Sequence, residues 1–281
     1  MIPNMEKYIL LEKEVGETPL SCAEEYRASH PELNDVSMAY AGRLDPMASG
    51  KLLILLGEEC KNQTMYHGLD KEYEFSVLFG IGSDSHDVLG RLLTDLSSDS
   101  VKQEVDESSQ LSAQLRDICK QLTGNIELPY PHFSAKTVQG KPLHMWTLEG
   151  RLNEIEIPTK ESTIYSLRLD SVETKSRADV CTEARAKIDS IPEVTEARKA
   201  LGNDFRRVDV RQDWDNILND DSLPDSYHIA HFTCTASSGT YMRTLAHLIG
   251  QGLETPALAW SIHRTKIGTY DSTSEIWNRE F

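Results

Sequence analysis

Short apolar runs separated by longer polar stretches set the rhythm of this chain. Leu52-Leu-Ile-Leu-Leu56 is unbroken, which predicts a buried strand. Tyr73-Glu-Phe-Ser-Val-Leu-Phe79 alternates well enough for a half-buried strand. Similar signals place strands at Tyr8–Leu11, Phe133–Val138, Thr163–Val172, Ile229–Thr235 and Ala257–Tyr270. Helical spacing predicts a helix over Pro19–Ala28, with Thr18 as its cap and Pro19 in its first turn. Further helices are expected over Glu58–Tyr66, up to Leu122, and near Leu143–Leu148. A last one begins at Thr240, with Tyr241, Leu245, Leu248, Ile249 and Leu253 on one face. Gly80–Gly90 is rich in turn residues, and 94–110 is Ser/Asp-rich and expected to be exposed.

Residues 173–226 change character. They are charged, helical in propensity over Thr182–Leu201, and end in the turn-like Asn219-Asp-Asp-Ser-Leu-Pro-Asp225. They read as a helical insertion with no role derivable from the sequence. No repeat or heptad appears. Interleaved strands and helices over 281 residues fit one α+β domain, 1–281, around a mixed sheet.

Composition narrows the function. No apolar run reaches membrane-spanning length, and the N-terminus lacks the long apolar core of a signal peptide. Cys22, Cys60, Cys119, Cys181 and Cys234 are scattered without a CxxC pair, which suggests reduced thiols in a cytoplasm and no zinc site. His228 and His231, three apart in an expected strand, point to opposite faces and give no metal signature. A net charge of −16 argues against a general nucleic-acid binder. The charge is localised, however. Residues 6–35 hold 8 acids against 3 bases, 95–117 hold 6 against 2, and 173–226 hold 13 against 9. What remains is close to neutral and can present a local basic groove.

Four segments carry candidate chemistry. In Ala41-Gly-Arg-Leu-Asp45-Pro-Met-Ala-Ser-Gly-Lys51, Pro46 biases Asp45 toward an extended or turn conformation and removes a backbone donor. The result is a rigid loop aiming one carboxylate, as a nucleophile or general base requires; an Asx turn or cap is the plainer reading. Tyr73, after Lys71-Glu72, is an active-site phenol or a packed aromatic. Arg243 lies in the first turn of an expected helix, where the dipole disfavours a cation; it has an anionic partner or sits on the surface. Lys136 and Lys141, around Gly140, form a basic turn fit for phosphates, or are simply solvated.

In this order, these segments resemble the TruB family of pseudouridine synthases, which isomerise a uridine in the T-loop of tRNA. AGRLDPMASGKLLILLGEECK looks like the family's catalytic motif, and KEYEFSVLFGIGSDSHDVLG like the K-x-Y segment and its Asp-rich loop. PHFSAKTVQGKPLHMW, SSGTYMRTLAHLIG and SIHRTKIG are similar to three further motifs. The resemblance spans most of the chain outside 173–226. It implies the pseudouridine synthase fold, α+β with a mixed, largely antiparallel sheet; the chain ends about ten residues after its last expected strand, so the C-terminal PUA domain that many members carry is not expected. It implies Asp45 as the catalytic aspartate, Tyr73 as the tyrosine against the flipped base, and Arg243 as the arginine paired with the aspartate. Lys61, Tyr241 and Ile262 fall on pocket-lining positions, and 131–141 on the segment that reaches the T-arm. Tyr40 and Arg43, beside the aspartate, are taken as substrate contacts.

The sequence departs from the pattern at several points. Tyr40 replaces the family's base-flipping histidine, and Arg43 replaces a small residue. Phe133 stands for a tyrosine, Ser238 for a basic residue and His263 for an arginine. The implied protein is a cytoplasmic, monomeric isomerase acting on uridine 55 of tRNA, with no metal and no cofactor. Another structured RNA stem-loop as substrate, or a non-catalytic RNA-binding or folding module, are the alternatives.

Overall fold

The computed structural model describes residues 6–93, 108–193 and 204–281. Its centre is a nine-stranded sheet. The main path runs β1 (Tyr8–Lys13), β3 (Ala48–Leu56), β10 (Ala257–Asp271), β4 (Asp70–Phe79), β9 (Ser226–Ala236), β8 (Thr159–Ser176), β5 (Gly124–Pro129). β2 (Met38–Tyr40) pairs with β3, and β11 (Ile276–Glu280) with β10. Every pairing in this sheet is antiparallel except β3 with β10. The expected mixed, largely antiparallel sheet is what the chain forms.

β3 shows why its apolar run is unbroken. Leu52, Ile54 and Leu56 face a cluster under α1 (Pro19–Ser29), with Cys22, Ala23, Leu33 and Val36. Leu53 and Leu55 face the other way, toward Tyr66 and Ile267. A strand buried on both faces has no polar side to alternate with. α1 itself is closed by the expected cap, Thr18, which exchanges hydrogen bonds with Ser21.

The main core joins Phe75, Val77 and Phe232 of the sheet to α3 (Ser108–Leu122) and to α7 (Met242–Gly252). It also takes in the helical insertion, which the sequence suggested was an excursion. α5 (Arg177–Ser190) contributes Val180, Cys181, Ala184 and Ile188, and α6 (Arg207–Asn219) contributes Val210, Trp214 and Ile217. The insertion is narrower than 173–226, because β8 runs on to Ser176 and β9 starts at Ser226.

Other boundaries move for local reasons. The helix expected over Thr182–Leu201 starts at Arg177, where the Ser176 hydroxyl accepts the Asp179 amide, and stops before Ile191-Pro192. The end of that expectation, and most of 94–110, lie outside the described residues. The helix expected over Glu58–Tyr66 is a 3₁₀ segment, Gly57–Asn62, followed by the short α2 (Gln63–His67). The strand expected over Phe133–Val138 shrinks to β6 (Thr137–Val138), hairpinned with β7 (Lys141–Pro142). Its first part is irregular, since it spends its polar groups elsewhere: the carbonyls of Ser134 and Lys136 accept the His144 and Leu143 amides of α4 (Leu143–Leu148). The described residues include no helix long and apolar enough to cross a membrane.

Candidate active site

Asp45 sits in a turn built to aim it. Its carbonyl accepts the Ala48 amide at 3.0 Å, with Pro46 at the position where a β-turn favours proline. Leu44 and Met47, on either side, are buried at 6% and 4% exposure, so the backbone is pinned around a carboxylate that keeps 39% of its side-chain exposure. Lys13 tightens the hold from below: wholly buried, it donates to the Ala48 carbonyl at 2.5 Å. Burial lowers Lys13 to about 8.

Arg243 meets Asp45. Tyr241 caps α7, so Arg243 is its second residue, at the end where the helix dipole opposes a cation. Two carboxylates offset that cost. Arg243 Nε lies 2.7 Å from Asp45 Oδ2 and 3.6 Å from Asp87 Oδ2. Nη1 donates to the Ser85 carbonyl at 3.0 Å and Nη2 to the Phe133 carbonyl at 3.3 Å. Burial works against the guanidinium, but Asp45 and Asp87 outweigh it and its pKa is raised.

Asp87 is the residue the sequence did not single out. Its motif was visible, yet nothing distinguished Asp87 from Asp84 three residues earlier. The loop 83–90 is folded around it. Asp87 Oδ1 accepts the Ser85 hydroxyl at 2.6 Å and the Leu89 amide at 3.0 Å, while the Ser83 hydroxyl bridges its backbone. Gly90 makes the fold possible, because a Cβ there would lie 2.3 Å from Ser85 Oγ. Burial raises the Asp87 pKa, with Arg243 and the Ser85 hydroxyl opposing.

Tyr73 enters from β4, its backbone paired with Arg264 of β10 and Cys234 of β9. Burial pushes its phenol up, with the Arg264 charge opposing, so it is neutral at ordinary pH. Arg264 was also unforeseen. It is 1% exposed, donates from Nε to the Lys51 carbonyl at 2.7 Å and from Nη1 to the Arg43 carbonyl at 3.2 Å, and so ties both flanks of the Asp45 turn. Lys71 is buried beside it, held by the His67 carbonyl at 3.2 Å and by Ser238, and lowered to about 7 by burial and then by Arg264. Buried lysine and arginine are rare enough that sequence reasoning assigns them to the surface.

Ile262 is 5% exposed and sits opposite Ala48 on β3 and Phe75 on β4, which puts it against the Asp45 turn. Tyr241 feels the charges of Asp45, Arg243 and Arg43, and burial raises its pKa. Its ring meets Tyr130 edge-on at 5.7 Å, and Lys136 lies over Tyr130 at 4.9 Å. These groups form an aromatic ledge with a cation at its outer end, suited to a base and a phosphate. Arg43 is exposed on the same side.

Three expected contacts are placed elsewhere. Lys61 follows the opposite end of β3, about 25 Å of strand from the Asp45 turn. It is exposed and paired with Glu58, so it does not line this pocket. Tyr40 pairs with Ile54 and packs with the cluster under α1, where apolar neighbours hold its ring. Lys141 is bound to Glu149 at 2.6 Å and lies over Trp146 at 4.2 Å, which makes it part of a local brace. His228 and His231 bond Thr174 and Glu173 respectively, as ordinary strand histidines. The described residues contain no cluster of His, Cys, Asp or Glu able to hold a metal.

Comparison with known proteins follows the same lines. Residues 32–189 match the model of the TruB family pseudouridylate synthase N-terminal domain. The chain is 27% identical over 267 residues to tRNA pseudouridine synthase B of Caldicellulosiruptor saccharolyticus, covering 95% of this chain and 69% of that protein. It is 28% identical over 244 residues to tRNA pseudouridine synthase 4 of Saccharomyces cerevisiae, covering 79% of this chain and 58% of that one. Among solved structures, a chain of a Cbf5–Nop10–Gar1 complex aligns with a TM-score of 0.50 at 16% identity, over 95% of this chain and 50% of that one, which is a likeness of fold. This chain thus spans between half and about two thirds of the length of these relatives. With more than half of its residues matched to the family model, the chain belongs to the TruB family of pseudouridylate synthases.

Proposed function

We propose that this protein converts the T-loop uridine of tRNA, position 55, to pseudouridine, with Asp45 as the catalytic carboxylate. The observation that carries the reading is the Asp45–Arg243 pair at 2.7 Å, in which the arginine is buried and the acid keeps an open side. A carboxylate held this way is aimed outward from a buried cation, as attack on or near C1′ of a nucleotide requires.

The target base must leave the stack, at a cost of a few kcal/mol. The Tyr241–Tyr130 ledge and Tyr73 supply aromatic surface for it, with Lys136 and Arg43 near the backbone. Asp45 then acts by covalent attack or by promoting glycosidic cleavage. The N1–C1′ bond breaks, uracil turns, C5 bonds to C1′, and the proton on C5 is lost while N1 gains one. Atoms and charge balance within the substrate, so the chemistry calls for no cofactor.

Incubation with a T-arm stem-loop, followed by mass spectrometry for pseudouridine, tests the reading. The wild type is expected to convert the RNA and Asp45→Ala to leave it unchanged; equal conversion by both would refute the role of Asp45. A second reading, a pseudouridine synthase for another structured stem-loop, draws support from Tyr40, whose ring is packed in an apolar cluster away from the family's flipping role. Higher turnover on ribosomal RNA stem-loops than on the T-arm would favour it. A non-catalytic binding module fits less well, since binding alone gives no reason to assemble Asp45, Tyr73 and Arg243.

A further inference from the structure

We propose that Arg206, in the insertion, is a positioning residue for Arg243. The inference rests on the function proposed above. The two terminal nitrogens of Arg243 are held by backbone carbonyls from two separate loops, Ser85 in 83–90 and Phe133 in 131–136. Neither loop is part of a strand or helix at these residues, so their relative position needs another tie.

Arg206 supplies it. Its Nη2 lies 2.6 Å from Asp84 Oδ2, immediately before Ser85, and its guanidinium lies over the Phe133 ring at 4.4 Å. One planar cation thus grips the neighbour of one carbonyl and the side chain of the other. Phe205 adds an edge-on contact to the same Phe133 ring at 6.5 Å. Asp84 is itself anchored, since its Oδ1 accepts the Arg91 amide at 3.0 Å.

The backbone bends to make this contact. Asp204, Phe205 and Arg206 all have positive φ, at 46°, 48° and 70°, in a region that L-residues avoid. Such a run persists only where its surroundings over-determine it. Beyond it, α6 holds the far end of the same active-site loop. Asp213 takes Arg91 at 2.7 and 3.1 Å and the Leu92 amide at 3.0 Å, and Trp214 Nε1 reaches the Val88 carbonyl at 3.4 Å. The insertion is therefore a splint along 84–92, with Arg206 as its contact nearest the chemistry.

Kinetics of Arg206→Ala, Arg206→Lys and Asp84→Asn on the T-arm stem-loop test the inference, with Asp45→Ala and wild type as references. Arg206→Ala is expected to lower kcat about tenfold with KM changed less than about twofold, because its main effect is on the carbonyls that hold Arg243 and, through them, on the catalytic pair. Arg206→Lys keeps the charge on Asp84 and should recover at least half of that loss on a logarithmic scale. Unchanged kcat, or a rise in KM alone, would overturn the inference; the latter would make Arg206 an RNA contact. Should Arg206→Ala fail to fold, Asp84→Asn carries the same expectation. Hydrogen exchange separates this inference from the function it rests on. Faster exchange of amides in 83–92 and 131–136 in Arg206→Ala is expected whatever the RNA substrate, and unaltered exchange there overturns the clamp. Inactive wild type with faster exchange in the variant would refute the T-loop substrate alone.

Discussion

Replacing Asp87 by Asn tests the electrostatics of the site most directly. The change is nearly isosteric, and its consequences follow from how Asp87 is already bonded. Oδ1 accepts two hydrogen bonds, from the Ser85 hydroxyl at 2.6 Å and the Leu89 amide at 3.0 Å. Both are donors toward that oxygen, so an asparagine must present its carbonyl to them. Its NH₂ then points at Arg243 Nε, which is 3.6 Å from the present Oδ2, and two donors face each other. The gross attraction lost at that distance is about 5 kcal/mol at an effective dielectric constant near 20. Against it stands the relief of no longer burying a carboxylate, whose cost is seen in the raised pKa of Asp87. The net expectation is a stability loss of about 3 kcal/mol, the size found when one partner of a buried pair is removed. Arg243 also loses one of the two anions that orient it, so kcat on T-arm RNA should fall about 100-fold, equivalent to about 2.7 kcal/mol. Urea unfolding and single-turnover conversion measure the two effects. A variant with wild-type midpoint and activity within twofold of wild type would show that Asp87 does not support the Arg243–Asp45 pair.

Three further outcomes follow from the same structure. His86 is half-buried, stacked on His247 at 4.2 Å with His132 also near, and has φ of 59°; desolvation, then these histidines and Arg243, lower its pKa to about 3. Its contribution is present above the unfolded value of about 6.5 and is lost as pH falls toward the folded value, with a slope of up to about 1.4 kcal/mol per pH unit. His86→Asn, which tolerates the left-handed backbone, should flatten the loss of stability between pH 6 and 4 seen by urea unfolding; an unchanged acid limb would refute this. Trp214→Ala should cost about 3–5 kcal/mol in thermal or urea unfolding, since Trp214 is wholly buried in the main core; a loss under 1 kcal/mol would mean that the insertion is an appendage after all. Lys61→Ala should leave kcat and KM on T-arm RNA within about twofold, because Lys61 stands beyond the far end of β3; a larger effect would restore it to the site.

The parts of the site that could be read from the chain are those where a local rule is broken. Asp45 stood out because Pro46 stiffens a turn beside apolar sequence, and Arg243 because a cation at a helix start needs an anion. Asp87 broke no local rule. Its partners come from Gly90 closing the loop and from a helix 155 residues later, and neither is marked by spacing. Arg264, Lys71 and Lys13 were hidden by the opposite effect, since residue type alone assigns them to solvent. The insertion misled through averaging. Val180, Ala184 and Ile188 on one helix, and Val210, Trp214 and Ile217 on the next, have core spacing, but the acidic outer faces dominate any mean over 173–226. Lys61 falls on a pocket-lining position by resemblance to the family motif, but the nine-residue β3 carries it away from the Asp45 turn.

The placement of the site itself depends on a pairing that no sequence pattern announces. β3 and β10 run parallel over only a few residues, Ala48–Gly50 against Ile262–Arg264. That short match brings the chain's last long strand beside the Asp45 turn, which lies more than 200 residues earlier. It sets Ile262 against the turn and lets Arg264 reach the carbonyls of Arg43 and Lys51 on both sides of it. Gly50 is the residue that permits the approach: its φ is +106°, and a Cβ there would lie 2.3 Å from the Arg264 carbonyl oxygen. The small residue that closes the Asp45 motif therefore serves a strand far away in sequence, and the aim of the carboxylate is fixed as much from β10 as from Pro46.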